Sequence, residues 1–216
     1  LLDLHRSQHN LRGVGRHGTR YVSEAARLSG SPETAPFNSI DNAFVGYMTL
    51  RSEPYEGGRR TPKQAWEALG IYGGDDGLTA NVSPQESVRS SEMVGLVLEC
   101  DQVKRGRRGV TFLSRIYGPD VWYGDPTSCC DIPRQLTKYH TTVNLPGNVT
   151  PLEKHREKAR SFYLSDKNTP VIGLLVRKTV ELFGEAEVTD KTQRMRKWDS
   201  EGSAAVQYPN DSQGRV

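Results

Sequence analysis

Two adjacent carboxylates, Asp75 and Asp76, stand among glycines in Gly73-Gly74-Asp75-Asp76-Gly77, between Ile71-Tyr72 and Leu78-Thr79. The pattern reads as strand, tight turn, strand, which places two negative charges at a hairpin tip that a phosphate can approach closely. Hard divalent cations suit such a site. Mg²⁺ is commonly held by one or two carboxylates completed by waters and substrate phosphates, and Mn²⁺ takes similar ligands. In two-metal phosphoryl transfer, ions about 3.5–4 Å apart serve the attacking and leaving oxygens. That chemistry needs at least one more carboxylate. Asp-Asp-Gly is also an ordinary hairpin turn, so the pair alone does not separate a metal site from a plain turn.

A second constellation lies upstream, where Ser29-Gly30, Thr34 and Asn38 form Ser-Gly-x-x-x-Thr-x-x-x-Asn at a helix entrance. Thr34 and Asn38 are four apart and share one helical face, while Gly30 lets the preceding loop flex. Asp41 is close to the same face but further down the axis, and reads as solvated. The run Lys104-Arg105-Gly106-Arg107-Arg108 has three readings that the residues leave open. It can supply a general acid through Lys104 or a positioned cation through Arg105, track a phosphate backbone, or form a solvated turn. Lys154, Arg156, Lys158 and Arg160, with Lys191, Arg194, Arg196 and Lys197, add basic surface. Cys129, Cys130 and His140 lack the paired spacing of a zinc site and read as structural.

These groups must be carried by a small set of elements. Phe37, Ile40, Phe44 and Met48 recur at spacings of three and four, so one apolar face is expected on a helix from between Ser31 and Pro36 to about Leu50. Thr61-Pro62, Ser83-Pro84, Thr150-Pro151 and Thr169-Pro170 each read as a capped helix start, with Gln64, Glu86 or Glu153 completing a capping box. The helix after Thr61 should end at Gly70 in a left-handed position, and that after Ser83 should run to about Glu99. Short strands are expected over Val110–Leu113 and Ile116-Tyr117, and the strand signal fades beyond Pro119. Helices near Pro151–Ser165 and Pro170–Phe183 follow, and then a polar tail from about Glu185. The fold class is α+β, with a boundary near Pro119 to Pro126 dividing residues 1–125 from a mainly helical 126–216.

The two constellations together resemble motifs B and C of the RNA-dependent RNA polymerases of positive-strand RNA viruses. Arg27-Leu28-Ser29-Gly30-Ser31-Pro32-Glu33-Thr34 and the doubled glycine before the Asp pair look most like those of nodaviruses. Gly95-Leu96-Val97-Leu98 is similar to motif D, and Phe112-Leu113-Ser114-Arg115 to motif E, the primer grip. The resemblance covers about residues 19–118. It implies a partial right-hand polymerase palm followed by a thumb, acting by template-directed nucleotidyl transfer from NTPs. Asp75 and Asp76 would bind Mg²⁺ or Mn²⁺. Ser29, Gly30, Thr34 and Asn38 would bind the nucleotide, with Ser29 and Asn38 sensing the ribose 2′-OH. Lys104 would be the proton donor to pyrophosphate, and Phe112, Leu113, Ser114, Arg115 and Arg105 would contact primer or RNA.

The family's motif A, an Asp-rich strand, has no match here, because Asp3 lacks a second acid five residues later. The chain is therefore expected to be a fragment, inactive alone, whose partners are RNA template and primer or nascent strand, NTPs, and the missing N-terminal part of the same replicase. Two rivals stand beside this reading. One is a reverse transcriptase, which usually carries an aromatic residue two positions before its Asp pair, where Tyr72 is three before. The other is a non-catalytic RNA-binding module in which the Asp pair is only a turn.

The totals set the remaining bounds. The chain has 216 residues, 35% of them hydrophobic, and a net charge of +3 that is too small to indicate nucleic-acid binding by itself. Three cysteines, two of them adjacent, make no disulfide framework and suit a reducing compartment. The longest apolar stretch, Val171–Val176, is far below the roughly 20 residues of a membrane span, and the start resembles no signal peptide. The host cytoplasm is expected, at membrane-associated replication complexes reached through regions outside this chain.

Overall fold

The computed structural model describes Asp3, Arg6 and residues 9–25, 33–143, 145 and 147–186. Ser29, Gly30, the segment 26–32 and the basic tail from 187 onward, with Lys191, Arg194, Arg196 and Lys197, lie outside the described residues. Contacts divide the chain into two compact units, Leu1–Gln102 and Val103–Val216. This division precedes the boundary expected near 119–126. A three-stranded sheet in the second unit pairs Arg115–Tyr117 with Ser128–Cys130, bridging that stretch. Helices and antiparallel strands are mixed in both units, in keeping with the expected α+β class.

In the first unit, strands β1 (His9–Val14) and β2 (Arg20–Ala25) form a hairpin that the sequence reading did not anticipate. Helix α1 follows over Thr34–Ser52, then the short pair β3 (Pro54–Tyr55) and β4 (Gly58–Arg59), helix α2 (Pro62–Glu67), the hairpin β5 (Ile71–Gly73) and β6 (Asp76–Leu78), and helix α3 (Pro84–Glu92). Helix α1 packs on α2, α3 and the β5–β6 hairpin.

The inward face of α1 is not the expected one, since of the apolar stripe only Phe37 and Met48 are half-buried. Val45, Gly46, Thr49 and Leu50 are buried, whereas Ile40 is 61% exposed and Phe44 53% exposed. At 100° per residue the Phe37–Ile40–Phe44–Met48 stripe lies roughly opposite Asn42 and Gly46. The physical reason is close approach. Gly46 leaves room for the Tyr72 ring and hydroxyl, which would collide with any Cβ there. Small and hydrogen-bonding residues on this face admit the hairpin where Phe and Ile would hold it away.

The caps separate into those that close as expected and those that do not. Thr61 with Gln64, and Thr150 with Glu153, form complete capping boxes. The Ser83 hydroxyl accepts from the Glu86 N–H, but the Ser83 N–H donates at 3.1 Å to Glu53, which ties the start of α3 to the end of α1 instead of closing a box. Helix α2 stops at Glu67, and Gly70 is not left-handed. Its lack of a Cβ instead admits the Leu78 carbonyl. Helix α3 ends at Glu92, seven residues before the expected Glu99. Gly95, with φ +75, closes a Schellman motif in which the Leu96 N–H donates to Ser91 O and the Gly95 N–H to Glu92 O, both at 3.0 Å. The stretch Gly95-Leu96-Val97-Leu98 therefore lies beyond the helix.

The second unit begins with the basic run Lys104–Arg108, which is a turn with Gly106 at φ +73. Strands β7 (Thr111–Phe112), β8 (Arg115–Tyr117) and β9 (Ser128–Cys130) form its sheet in that order, and a 3-10 turn covers Pro119–Tyr123. Strand β9 and helix α4 (Ile132–Tyr139) escaped the sequence reading. Helices α5 (Pro151–Asp166) and α6 (Ile172–Phe183) pack on each other. Thr169 does not cap α6. Its hydroxyl is taken by Asp166 at 2.9 Å, and the helix begins after Val171 at φ +68. The core joins Cys130, Tyr139, Ala159, Ile172 and Val176, with Ile132, Phe162, Leu175 and Val180 against it.

Candidate active site

The hairpin β5–β6 pairs Gly73 with Asp76, leaving Gly74 and Asp75 as a two-residue turn. Gly74 has φ +65 while Asp75 does not take positive φ, the pattern of a type II′ turn with glycine first. Asp75 and Asp76 are both exposed at this tip. The turn is fastened to α1 by two side chains one turn apart. The Gly74 N–H donates to Ser39 Oγ at 2.7 Å, and that hydroxyl in turn donates to Ala35 O at 2.8 Å. Asn42 Nδ2 donates to Asp75 O at 2.9 Å and lies 3.4 Å from Gly74 O. The backbone carrying the acids is thus fixed while the carboxylates stay outward. No hydrogen bond or ion pair reaches the Asp75 carboxylate from the described residues.

Behind the turn, Tyr72 crosses α1 at Gly46. Its hydroxyl meets Thr79 Oγ1 at 2.9 Å and accepts from the Gly70 N–H at 3.4 Å. Gly77 completes the fit, since a Cβ there would stand 2.9 Å from the Tyr72 ring and 3.2 Å from Asn42.

Thr34 and Asn38 lie on α1 at four-residue steps before Asn42, so the face that holds the turn is the face that carries them. Asn38 is about 6 Å along the axis from Asn42. Asp41 is exposed. Ser39, Asn42 and Gly46 are the residues that reading for chemistry missed. Their signal was faint, because Thr34, Asn38, Asp41 and Thr49 make polar positions common along this helix. Among the described residues no cluster of three His, Cys, Asp or Glu side chains forms a ready metal site. The two hard oxygen donors of the hairpin fit a divalent cation as one side of a larger shell.

The remaining candidates belong to the second unit. Lys104 is exposed, and its carbonyl accepts from the Arg107 N–H at 3.1 Å. Arg105 donates to Trp122 O at 3.3 Å, and the Trp122 indole donates back to Arg108 O, so the basic turn is buttressed against the 3-10 segment. Phe112 is half-buried. Leu113 and Ser114 form the exposed two-residue turn of β7–β8 at φ +50 and +61, the sign pattern of a type I′ turn that Gly and Asn fill more easily.

Arg115, expected to contact primer or RNA, is committed inward. It meets Asp166 at 2.8 Å and donates to Ser128 Oγ at 3.1 Å and Ser128 O at 2.8 Å. Asp166 is 1% exposed and also accepts from the Cys130 N–H, Ser165 and Thr169. Burial alone would raise the Asp166 carboxyl, but the Ser165 hydroxyl, the Arg115 guanidinium and the Cys130 N–H outweigh it and hold the group below the usual carboxylate range. Burial, with Asp166 beside it, pushes the Cys130 thiol up to about 12. His140 stacks on His155 with centroids 5.0 Å apart, beside Tyr139.

Set beside known proteins, the chain is similar to several viral enzymes. It is 37% identical over 163 residues to the RNA-directed RNA polymerase of greasy grouper nervous necrosis virus, covering 74% of this chain and 16% of that relative. It is 32% identical over 184 residues to that of Pariacoto virus, covering 83% and 18%, and 25% identical over 205 residues to that of Flock house virus, covering 91% and 20%. The chain thus spans about a fifth or less of the length of the curated relatives it matches. No family model and no solved structure matches it. The resemblance to nodavirus polymerases drawn from the motifs holds, as similarity to one segment of those enzymes.

Proposed function

We propose that this chain is the palm-centred segment of a nodavirus-like RNA-dependent RNA polymerase, with Asp75 and Asp76 as one part of its metal-binding site. The carrying observation is the turn itself: two exposed acids on a backbone that Ser39 and Asn42 fasten to the helix bearing Thr34 and Asn38. A plain surface turn has no need of two helix side chains hydrogen-bonded to its backbone and a glycine cleared for Tyr72.

In this reading Asp75 and Asp76 hold Mg²⁺ or Mn²⁺, and the ion, when bound, supplies charge stabilisation to phosphoryl transfer. Its further carboxylate ligands come from elsewhere in the polymerase, so the chain alone does not incorporate nucleotides. Thr34 and Asn38 orient the NTP, with Ser29 and Gly30 in the loop before them. The exposed turn Leu113-Ser114 offers the RNA contact, with Phe112 anchoring it, while Arg115 serves the interior. Lys104 stays a proton-donor candidate on a buttressed turn shared with Arg105. RNA template, primer or nascent strand, and NTPs are the partners. The outward stripe of Ile40 and Phe44 fits contact with the rest of the same replicase. No helix among the described residues is long and apolar enough to cross a membrane, and placement at cytoplasmic replication complexes depends on other regions.

The test uses the complete polymerase. Asp75→Ala should abolish RNA synthesis and leave RNA affinity nearly unchanged. Retained synthesis rejects the metal role, and collapse of RNA binding favours a non-catalytic RNA-binding module.

A further inference from the structure

Helices α5 and α6, with the residues just after α6, line a half-open cavity of about 310 Å³ whose charged lining is three arginines and Glu185. Arg156 and Arg160 enter it from successive turns of α5, and Arg177 faces them from α6. Tyr163, Leu164 and Val180 supply an apolar wall. The four basic residues of α5, expected to add basic surface, in fact diverge. Lys154 pairs with Glu157 at 3.0 Å, Lys158 donates to the carbonyls that end α4, and only Arg156 and Arg160 turn into the cavity.

The arginines are underused as structural groups. Arg156 spends its Nε on Phe183 O and Arg177 one terminal nitrogen on Lys167 O at 3.4 Å. The Arg160 Nε is buried with no hydrogen-bond partner. Among the described residues no carboxylate lies within ion-pair distance of the three guanidinium groups, although Glu185 is present at the lining. A buried guanidinium N–H without an acceptor is unfavourable, so a site that keeps one has a reason to expect an acceptor. Planar guanidinium forks match phosphate oxygens, and aromatic and aliphatic walls match a base.

We propose that this cavity binds a nucleoside phosphate, its phosphates on Arg156, Arg160 and Arg177 and its base against Tyr163, Leu164 and Val180. The occupant is a free nucleotide or the unstacked end of an RNA strand. The proposal stands on the second unit alone and does not depend on the role of Asp75.

Calorimetric titration of the complete polymerase in EDTA tests it, because metal-dependent binding at the hairpin is then silent. ATP should bind about tenfold more tightly than tripolyphosphate, the margin a stacked base contributes. Arg160→Gln with Arg177→Gln should weaken both ligands by about tenfold or more, as loss of charge-assisted bonds requires. Tyr163→Ala, at a half-exposed position that folding tolerates, should bring ATP down to the tripolyphosphate level and leave tripolyphosphate unchanged. Displacement of ATP by a short single-stranded RNA would make the strand end the occupant, and failure to displace it would make the free nucleotide the occupant. Equal ATP affinity in wild type and the arginine variant, with unchanged melting, would overturn the proposal. So would tripolyphosphate binding as tightly as ATP.

Discussion

The hairpin of the first unit and the Arg115–Asp166 cluster of the second both centre on aspartate, and they treat its charge in opposite ways. Asp166 is buried and receives the Arg115 guanidinium, two hydroxyls and a backbone N–H. At Asp75 the structure spends its hydrogen bonds on the backbone and leaves the carboxylate at the surface. A charge whose partners are all internal stabilises the unit. A charge held in place with its carboxylate outward awaits something else. The same logic separates Arg115, saturated and structural, from Arg160, half-buried with its Nε closed off from solvent and short of an acceptor.

The contrast breaks most visibly at the buried pair. Asp166→Ala strands Arg115 in a nearly closed site and should destabilise the second unit by about 3–5 kcal/mol, read by urea unfolding with hydrogen exchange resolved by unit. A loss near zero would mean that the cluster is not closed as described. Acid should do the same by degrees. Because the folded Asp166 carboxyl is held below its ordinary value, its contribution is present above the unfolded pKa and is lost as pH falls through the lower folded one. Burial, then His140 and Lys158, lowers His155 as well, so its protonation on acidification removes stability in the same direction. Amides of β9 and α5 should therefore lose protection in acid, and Asp166→Asn should flatten the carboxylate part of that response.

Next in size is Gly46→Ala, which sets a methyl against the Tyr72 ring and should cost the first unit about 1–3 kcal/mol in the same urea assay. Ser39→Ala and Asn42→Ala each remove one fastening of the turn and should cost about 1 kcal/mol. In the complete polymerase each should lower the maximal rate more than it alters RNA affinity, which steady-state kinetics on a primed template can separate. The smallest effect is expected at the acids themselves. Asp75→Asn should change unfolding free energy by less than about 0.5 kcal/mol, since its side chain supports nothing in the fold. A large loss there would erase the distinction between the two aspartates.

What was legible in the sequence follows the range of the interaction that fixes it. The Asp hairpin, the starts at Thr61 and Thr150 and the span of α1 depend on neighbours a few residues away, and they stand where local chemistry puts them. The orientation of α1 did not, because apolar periodicity names the core face only when a helix buries its apolar stripe, and here Gly46 and Tyr72 decide otherwise. Thr169 failed as a cap because Asp166, itself claimed by Arg115 on a distant strand, took its hydroxyl. Arg115 read as a primer or RNA contact for the same reason: its partners lie 13 and 51 residues away. Ser39 and Asn42 show no spacing that announces chemistry, since their role is to hold a backbone that reaches them from more than 30 residues on.

The claim that the hairpin holds a catalytic cation is tested most directly by anomalous diffraction from crystals of the complete polymerase soaked with Mn²⁺ and an NTP. A manganese peak against the Asp75 carboxylate is expected. Manganese density confined to some other acidic cluster, with Asp75 bare, would contradict it.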